Sequence, residues 1–207
     1  MNTPKYLLQN VEKYPNEPAI SIKNSEGNWQ TNTWTEFYNS VVEVSKSLIA
    51  SGIDKNDKIS IYSYNRVEWN VCYLAAQMIN SVAVGVYHTC SSNEVNWIVG
   101  NSDSKIVFVG NNPNDNDEME KMPNHRLLAV LDELDKVELV VTMDGVDLLE
   151  NDKIISWDDF IAKGESLEDS EVLNRANGIG PDDTSSLIYT SGTVSYTHLT
   201  LPTNREV

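Results

Sequence analysis

Cysteine is nearly missing from this sequence of 207 residues: Cys72 and Cys90 are the only two, and no C-x-x-C spacing occurs. That excludes a disulfide framework and a cysteine-rich zinc module. Cys72 falls inside a helical pattern and reads as a small buried hydrophobe. Cys90 lies in a loop with nothing beside it to activate a thiol. Basic residues are scarce too, 15 against 31 acidic ones, for a formal charge of −16. Nucleic-acid surfaces and electrostatic grips on anionic lipid both need clustered Lys and Arg. The balance argues against both, and for a solubilising surface.

Other absences narrow the field further. The three histidines, His88, His125 and His198, share no metal-ligand spacing, and there is no H-E-x-x-H. His88 follows a strand and can face a cleft, although a plain loop histidine explains it as well. There is no Walker A run, and Tyr189 stands where a nucleophile elbow around Ser191 needs glycine. Gly178-x-Gly180 has Asp183 in place of a third glycine and precedes a strand, so it is not a dinucleotide fingerprint. The opening MNTPKYLLQNVEKYP has no apolar signal-peptide core, no segment is apolar for long enough to span a bilayer, and no Asn-x-Ser/Thr sequon occurs. A cytoplasmic location is expected.

What is present is an ordinary globular composition, 40% hydrophobic and 22% charged. AISI and NWQTNTW around Asn24-Ser25-Glu26-Gly27 predict a hairpin. Phe37, Val41, Val44 and Leu48 then repeat at helical spacing, with Thr35 as the expected cap and Gly52 past the end. A strand over 58–63 and a helix with Val67, Val71, Leu74 and Met78 on one face follow. A fully buried strand over 82–87 and a capping box of Ser91 and Glu94 come next. Trp69 and Trp97 read as packing residues. A strand over 105–109 precedes the acidic stretch 111–152, which holds twelve acidic and three basic residues. That stretch reads as a loop at 111–117, a solvated helix face and a strand over 137–143. Helices over 157–163 and near 167–175 lead to a turn at 177–181 and a last strand over 185–189. Alternating strands and helices predict an α/β fold, a mostly parallel sheet with helices on both faces. No repeat or linker divides it.

The chemistry-bearing candidate is the end of that last strand, Leu187-Ile188-Tyr189-Thr190-Ser191-Gly192-Thr193. A buried strand there delivers three hydroxyls and a flexible glycine to the edge of a parallel sheet, where α/β proteins bind ligands. Successive amides in such a turn can cradle an anion. TSGT by itself is also explained by a plain strand-ending turn.

Several blocks in order carry a more specific resemblance: Thr33-Trp34-Thr35-Glu36-Phe37, SGIDKNDKISIYSYNRVEW, VAVGVYHTCSSNEVNWIVGNSDSKIVFVG and DDTSSLIYTSGT. Together they resemble the AMP-forming acyl-CoA synthetases of the adenylate-forming superfamily. SYNRVEW and VYHTCSSNEV look most like the long-chain fatty acid–CoA ligase branch. The resemblance implies activation of a fatty acid by ATP to an acyl-adenylate, then transfer of the acyl group to coenzyme A. It implies that Thr190, Ser191, Gly192 and Thr193 begin the loop that holds the ATP phosphates, with the Thr190 hydroxyl positioning Mg²⁺. Peripheral membrane contact is compatible with it. The family continues with Thr-Gly-x-x-Lys-Gly, whereas Val194-Ser195-Tyr196 stands here. Residues 1–193 are therefore expected to be part of an AMP-binding (adenylation) domain, and 194–207 a non-native tail resembling translated sequencing adaptor. The family's acidic metal ligand and catalytic lysine have no counterpart in the sequence, so the 207 residues alone are expected to be inactive. Two alternatives stay open: an adenylate former for another carboxylic acid, such as an aryl or amino acid, and a non-catalytic α/β interaction module.

Overall fold

A computed structural model describes residues 2–24, 26–111, 119–143 and 151–190. It opens on a helix that hydrophobic spacing does not announce, α1 (Thr3–Lys13), of which only Pro4 and Leu7 are buried. Asn2 caps it through Lys5 N, and Pro4 suits its first turn. The expected hairpin follows as β1 (Pro18–Lys23) and antiparallel β2 (Trp29–Thr33), with Gly27 at φ +81° in the turn.

The next helix, α2 (Trp34–Ala50), starts earlier than the sequence reading placed it. Its cap is Thr33, not Thr35: Thr33 Oγ accepts from Glu36 N at 3.3 Å while the Glu36 carboxylate accepts from Thr33 N at 2.8 Å. The reason is spacing, since Thr33 has Glu three residues on whereas Thr35 has Tyr38. Thr35 instead donates its hydroxyl to Pro15 O. The far end closes as expected, with Gly52 at φ +83°. Gly52 N donates to Ile49 O and Ile53 N to Leu48 O, both at 3.0 Å.

From here strands and helices alternate: β3 (Lys58–Ser63), α3 (Val67–Met78), β4 (Val82–Val86), α4 (Ser92–Asn101) and β5 (Ser104–Gly110). α5 (Pro123–Leu128), β6 (Leu139–Thr142), β7 (Ile154–Ser156), α6 (Trp157–Lys163), α7 (Asp169–Asn177) and β8 (Ser186–Ile188) follow, with short 3-10 turns at Met119–Lys121 and Leu131–Glu133 on either side of α5. Two of these, α5 and the three-residue β7, are too short to show a period. The expected loop at 111–117 lies outside the described residues apart from Asn111. On α3 the buried stripe runs through Val71, Cys72, Ala75 and Met78, and Leu74 is only half-buried. Small residues take that stripe because α3 is packed by the sheet on one side and by α2 on the other.

Strands β3 to β8 form one parallel sheet in the order β7-β6-β5-β3-β4-β8. The α/β fold with helices on both faces is therefore present. Alternation along the strands divides the core in two. Ile59, Ile61, Ala83, Ile106, Phe108 and Val141 point to the face covered by α2, α3, α6 and α7. Tyr62, Val84, Val86, Val107, Val109 and Val140 point to the face covered by α4 and α5. The serines that share this second face at the strand starts satisfy one another: Ser104 Oγ lies 2.7 Å from Ser60 Oγ and 2.8 Å from Ser102 Oγ.

Candidate functional site

All six strands point the same way, so their C-terminal ends gather on one edge of the sheet. The order of winding reverses there: β3 leads to β4 on one side, and β5 to β6 on the other, which puts the switch point between β3 and β5. Gly110 ends β5 at that switch point. A Cβ at this position would lie 2.6 Å from Ser63 Oγ, 3.0 Å from Met143 Sδ and 3.3 Å from an Arg66 nitrogen, so no larger residue fits without movement. Arg66 is only 8% exposed and grips Glu68 with two bonds, Nε at 2.6 Å and Nη2 at 2.9 Å. Burial pushes the Glu68 carboxyl up, but the Arg66 bonds outweigh it and hold it below its ordinary value. The Ser63 hydroxyl, beside them, is buried with no hydrogen-bond partner among the described residues.

β8 brings the TSGT candidate to the same edge. The strand is shorter than expected, ending at Ile188, and Tyr189 anchors its exit by donating its hydroxyl to Asn101 Oδ1 at 2.8 Å. Thr190 follows, exposed at the end of the sheet. Ser191, Gly192 and Thr193 lie outside the described residues, as does the expected tail 194–207. The start of β8 is held from below. Asp183 accepts from Lys55 Nζ at 2.6 Å, Gly180 N at 2.9 Å and Asn80 Nδ2 at 3.0 Å. The Lys55 ammonium foremost, then those two donors, bring its carboxyl down to about 2.

A cavity of about 650 Å³ opens between the ends of β3, β4 and β8 and the first turns of α3. Its floor is the sheet face at Ser63, Gly85 and Ile188; its wall is Trp69 and Tyr73, stacked with ring centroids 5.3 Å apart. Its mouth carries Tyr87 and His88, also stacked, and Tyr189 just before Thr190. His88 thus faces a cleft, and Trp69 lines one instead of serving only as packing. On the other side of the β3–α3 loop is a second, polar cavity of about 670 Å³. Lys23, Glu43, Arg66 and Glu68 line it.

The turn that carries Tyr87 and His88 is clamped from behind. Tyr62 donates its hydroxyl to Cys90 O at 2.8 Å, and Arg126 of α5 donates to Thr89 O and Cys90 O, each at 3.0 Å. Burial pushes the Tyr62 phenol up to about 12 and lifts the Cys90 thiol above its ordinary value. Cys90 is therefore not activated, and Cys72 is fully buried, as expected. Among the described residues no group of three or more His, Cys, Asp or Glu could hold a metal ion.

Sequence reasoning missed Ser63, Gly85 and Arg126. Only Gly85 left a trace, as a glycine within the apolar run 82–87.

A sequence profile of the AMP-binding enzyme family matches residues 7–195, from within α1 to beyond β8. The chain belongs to that family. Its relatives include the long-chain-fatty-acid–CoA ligase ACSBG2 of Homo sapiens, 24% identical over 193 residues, and long chain acyl-CoA synthetase 5 of Arabidopsis thaliana, 28% identical over 195. These alignments cover 93% and 88% of this chain but only 28% and 27% of those proteins. The chain thus spans little more than a quarter of the curated relatives it matches. Among solved structures, coronafacic acid ligase from Pectobacterium brasiliense matches 91% of this AMP-binding chain at a TM-score of 0.73 and 18% identity. The anthranilate CoA ligase AuaEII, solved with anthranoyl-AMP, matches 93% at 0.71 and 18%. The alignments take in 33% and 32% of those two chains, and at this identity they bear on the fold alone. No helix among the described residues is long and apolar enough to cross a membrane.

Proposed function

We propose that this AMP-binding chain forms part of an AMP-forming ligase that activates a long-chain fatty acid with ATP and transfers it to coenzyme A. One observation carries the reading: β8 ends on the ligand-binding edge of a parallel sheet, with Thr190 exposed at its exit and the family match running through it. The relatives named as long-chain ligases support the choice of acid. In this reading the acid carboxylate attacks the α-phosphate of ATP, pyrophosphate leaves, and an acyl-adenylate forms. The coenzyme A thiol then takes the acyl group and AMP departs.

The chain's own contribution is to bind and orient. Thr190, with Ser191, Gly192 and Thr193, would offer hydroxyl and amide donors to the triphosphate, and the Thr190 hydroxyl would help hold Mg²⁺. A hydroxyl at the end of a parallel sheet suits that hard, oxygen-seeking ion. When bound, Mg²⁺ offsets charge on the phosphate oxygens. Residues 1–193 act as part of an adenylation domain, 194–207 lie outside it, and the 207 residues alone are inactive, because the catalytic lysine and acidic metal ligand of the resemblance have no counterpart here. The location is cytoplasmic, with peripheral membrane contact.

Isotope exchange between pyrophosphate and ATP tests this. A full-length protein carrying this sequence should exchange when given palmitate and fall at least tenfold with Thr190→Val, while the 207 residues alone should not exchange. Exchange with an aryl or amino acid but not palmitate would move the assignment to another acid. Exchange with none would overturn it.

A further inference from the structure

We infer, on the function proposed above, that His88 is a catalytic residue of the second half-reaction: the base that takes the proton from the coenzyme A thiol. Its place follows from the sheet. β4 and β8 are parallel neighbours, paired from Ala83–Ser186 to Gly85–Ile188, and both end on the ligand edge. His88 stands two residues past the end of β4, and Thr190 two past the end of β8. The imidazole and the start of the proposed phosphate loop therefore leave the sheet from adjacent strands. His88 is half-buried at the mouth of the cavity, where a thiol arriving from solvent enters.

The chemistry needs such a group. The thiolate, not the thiol, is the nucleophile, and only a few per cent of an ordinary thiol is ionised near neutrality. A chain with a net −16 does nothing to favour another anion. Histidine is the side chain that exchanges a proton in that range. Among the described residues lining the cavity it occurs once; the other polar groups there are phenols, hydroxyls, an indole and the Asn65 amide. None of those takes up a proton near neutrality. The ring is also held as a base must be. Its face stacks on Tyr87, 20° from parallel, and Cys90 N donates to Tyr87 O at 2.9 Å to close the turn. Tyr62 and Arg126 pin the Thr89 and Cys90 carbonyls behind it. In the step itself the thiol proton passes to an imidazole nitrogen as sulfur bonds to the acyl carbon. The bond from that carbon to the phosphate oxygen breaks, AMP leaves with its electron pair, and the imidazolium returns its proton to water.

Three rates on the full-length protein carrying this sequence test the role. They are pyrophosphate–ATP exchange with palmitate, palmitoyl-CoA formation, and palmitoyl hydroxamate formation when hydroxylamine replaces coenzyme A. Hydroxylamine attacks as the neutral amine and needs no base to ionise it. His88→Gln should lower the ratio of thioester formation to exchange about 100-fold, the contribution of a positioned base, while hydroxamate formation keeps pace with exchange. A wild-type ratio in His88→Gln, hydroxamate that falls along with thioester, or equal loss of all three rates would overturn the inference and leave the proposed function standing. Absence of exchange in the wild type would instead overturn the proposed function, and the role of His88 with it.

Discussion

Asp183 shows how one carboxylate fixes a strand entry. It collects bonds from Lys55, Gly180 and Asn80, three separate parts of the chain. Its carboxyl lies at about 2 in the folded state against an ordinary 3.8. A depressed acid contributes stability above its unfolded value and loses it as pH falls through the folded one. Wild type should therefore exceed Asp183→Asn in urea-denaturation stability above pH 4, and the gap should close between pH 4 and pH 2. A gap that stays constant over that window would show that the ion pair is not coupled to folding. This residue was visible in the sequence only as the obstacle to a glycine fingerprint. Two of its partners, Lys55 and Asn80, lie more than about 100 residues away along the chain, and spacing carries no trace of them.

At the scale of elements, helix packing depends on close backbone approach. Gly164 ends α6 against α2, where a Cβ would lie 2.6 Å from Ser47 N and 2.7 Å from Ser47 Oγ. Ser47 Oγ meanwhile donates to Ile161 O at 3.1 Å, tying the two helices together. Gly164→Ala should then cost about 1–3 kcal/mol of unfolding free energy by denaturant titration, the usual penalty of overpacking. A near-neutral result would mean that α6 can shift freely. Long periodic elements were legible from sequence: α2, β3, β4, β5 and α6 follow from their apolar patterns and caps. α1, α5 and β7 were not, because α1 is largely polar and the other two are shorter than one period of evidence requires. The site followed the same rule. The strand that leads to Thr190 was legible from its apolar run, whereas the cavity at Ser63 and Gly85 exists only where three strands are laid side by side.

For the whole molecule, charge sets the terms. A net −16 over 207 residues means that folding gathers like charges together. Sodium chloride raised from about 0.01 M to about 0.1 M shortens the screening length from about 30 Å to about 10 Å. The melting temperature should rise over that range. A fall would show that surface ion pairs such as Lys46–Asp169 and Lys105–Asp57 outweigh the repulsion. In the proposed function, the same acidity means that nucleotide phosphates would have to be met by local donors at the sheet edge, not by a general field.

The hold on Cys90 O has a mechanical meaning. A phenol from the middle of the sheet and a guanidinium from α5 meet on one carbonyl oxygen, so a helix on one face of the sheet is latched to a turn that serves the other. Any sideways travel of α5 must drag that turn, and with it the rings of Tyr87 and His88, without a signal passing through the intervening chain. The latch makes two sides of the molecule answer to one another.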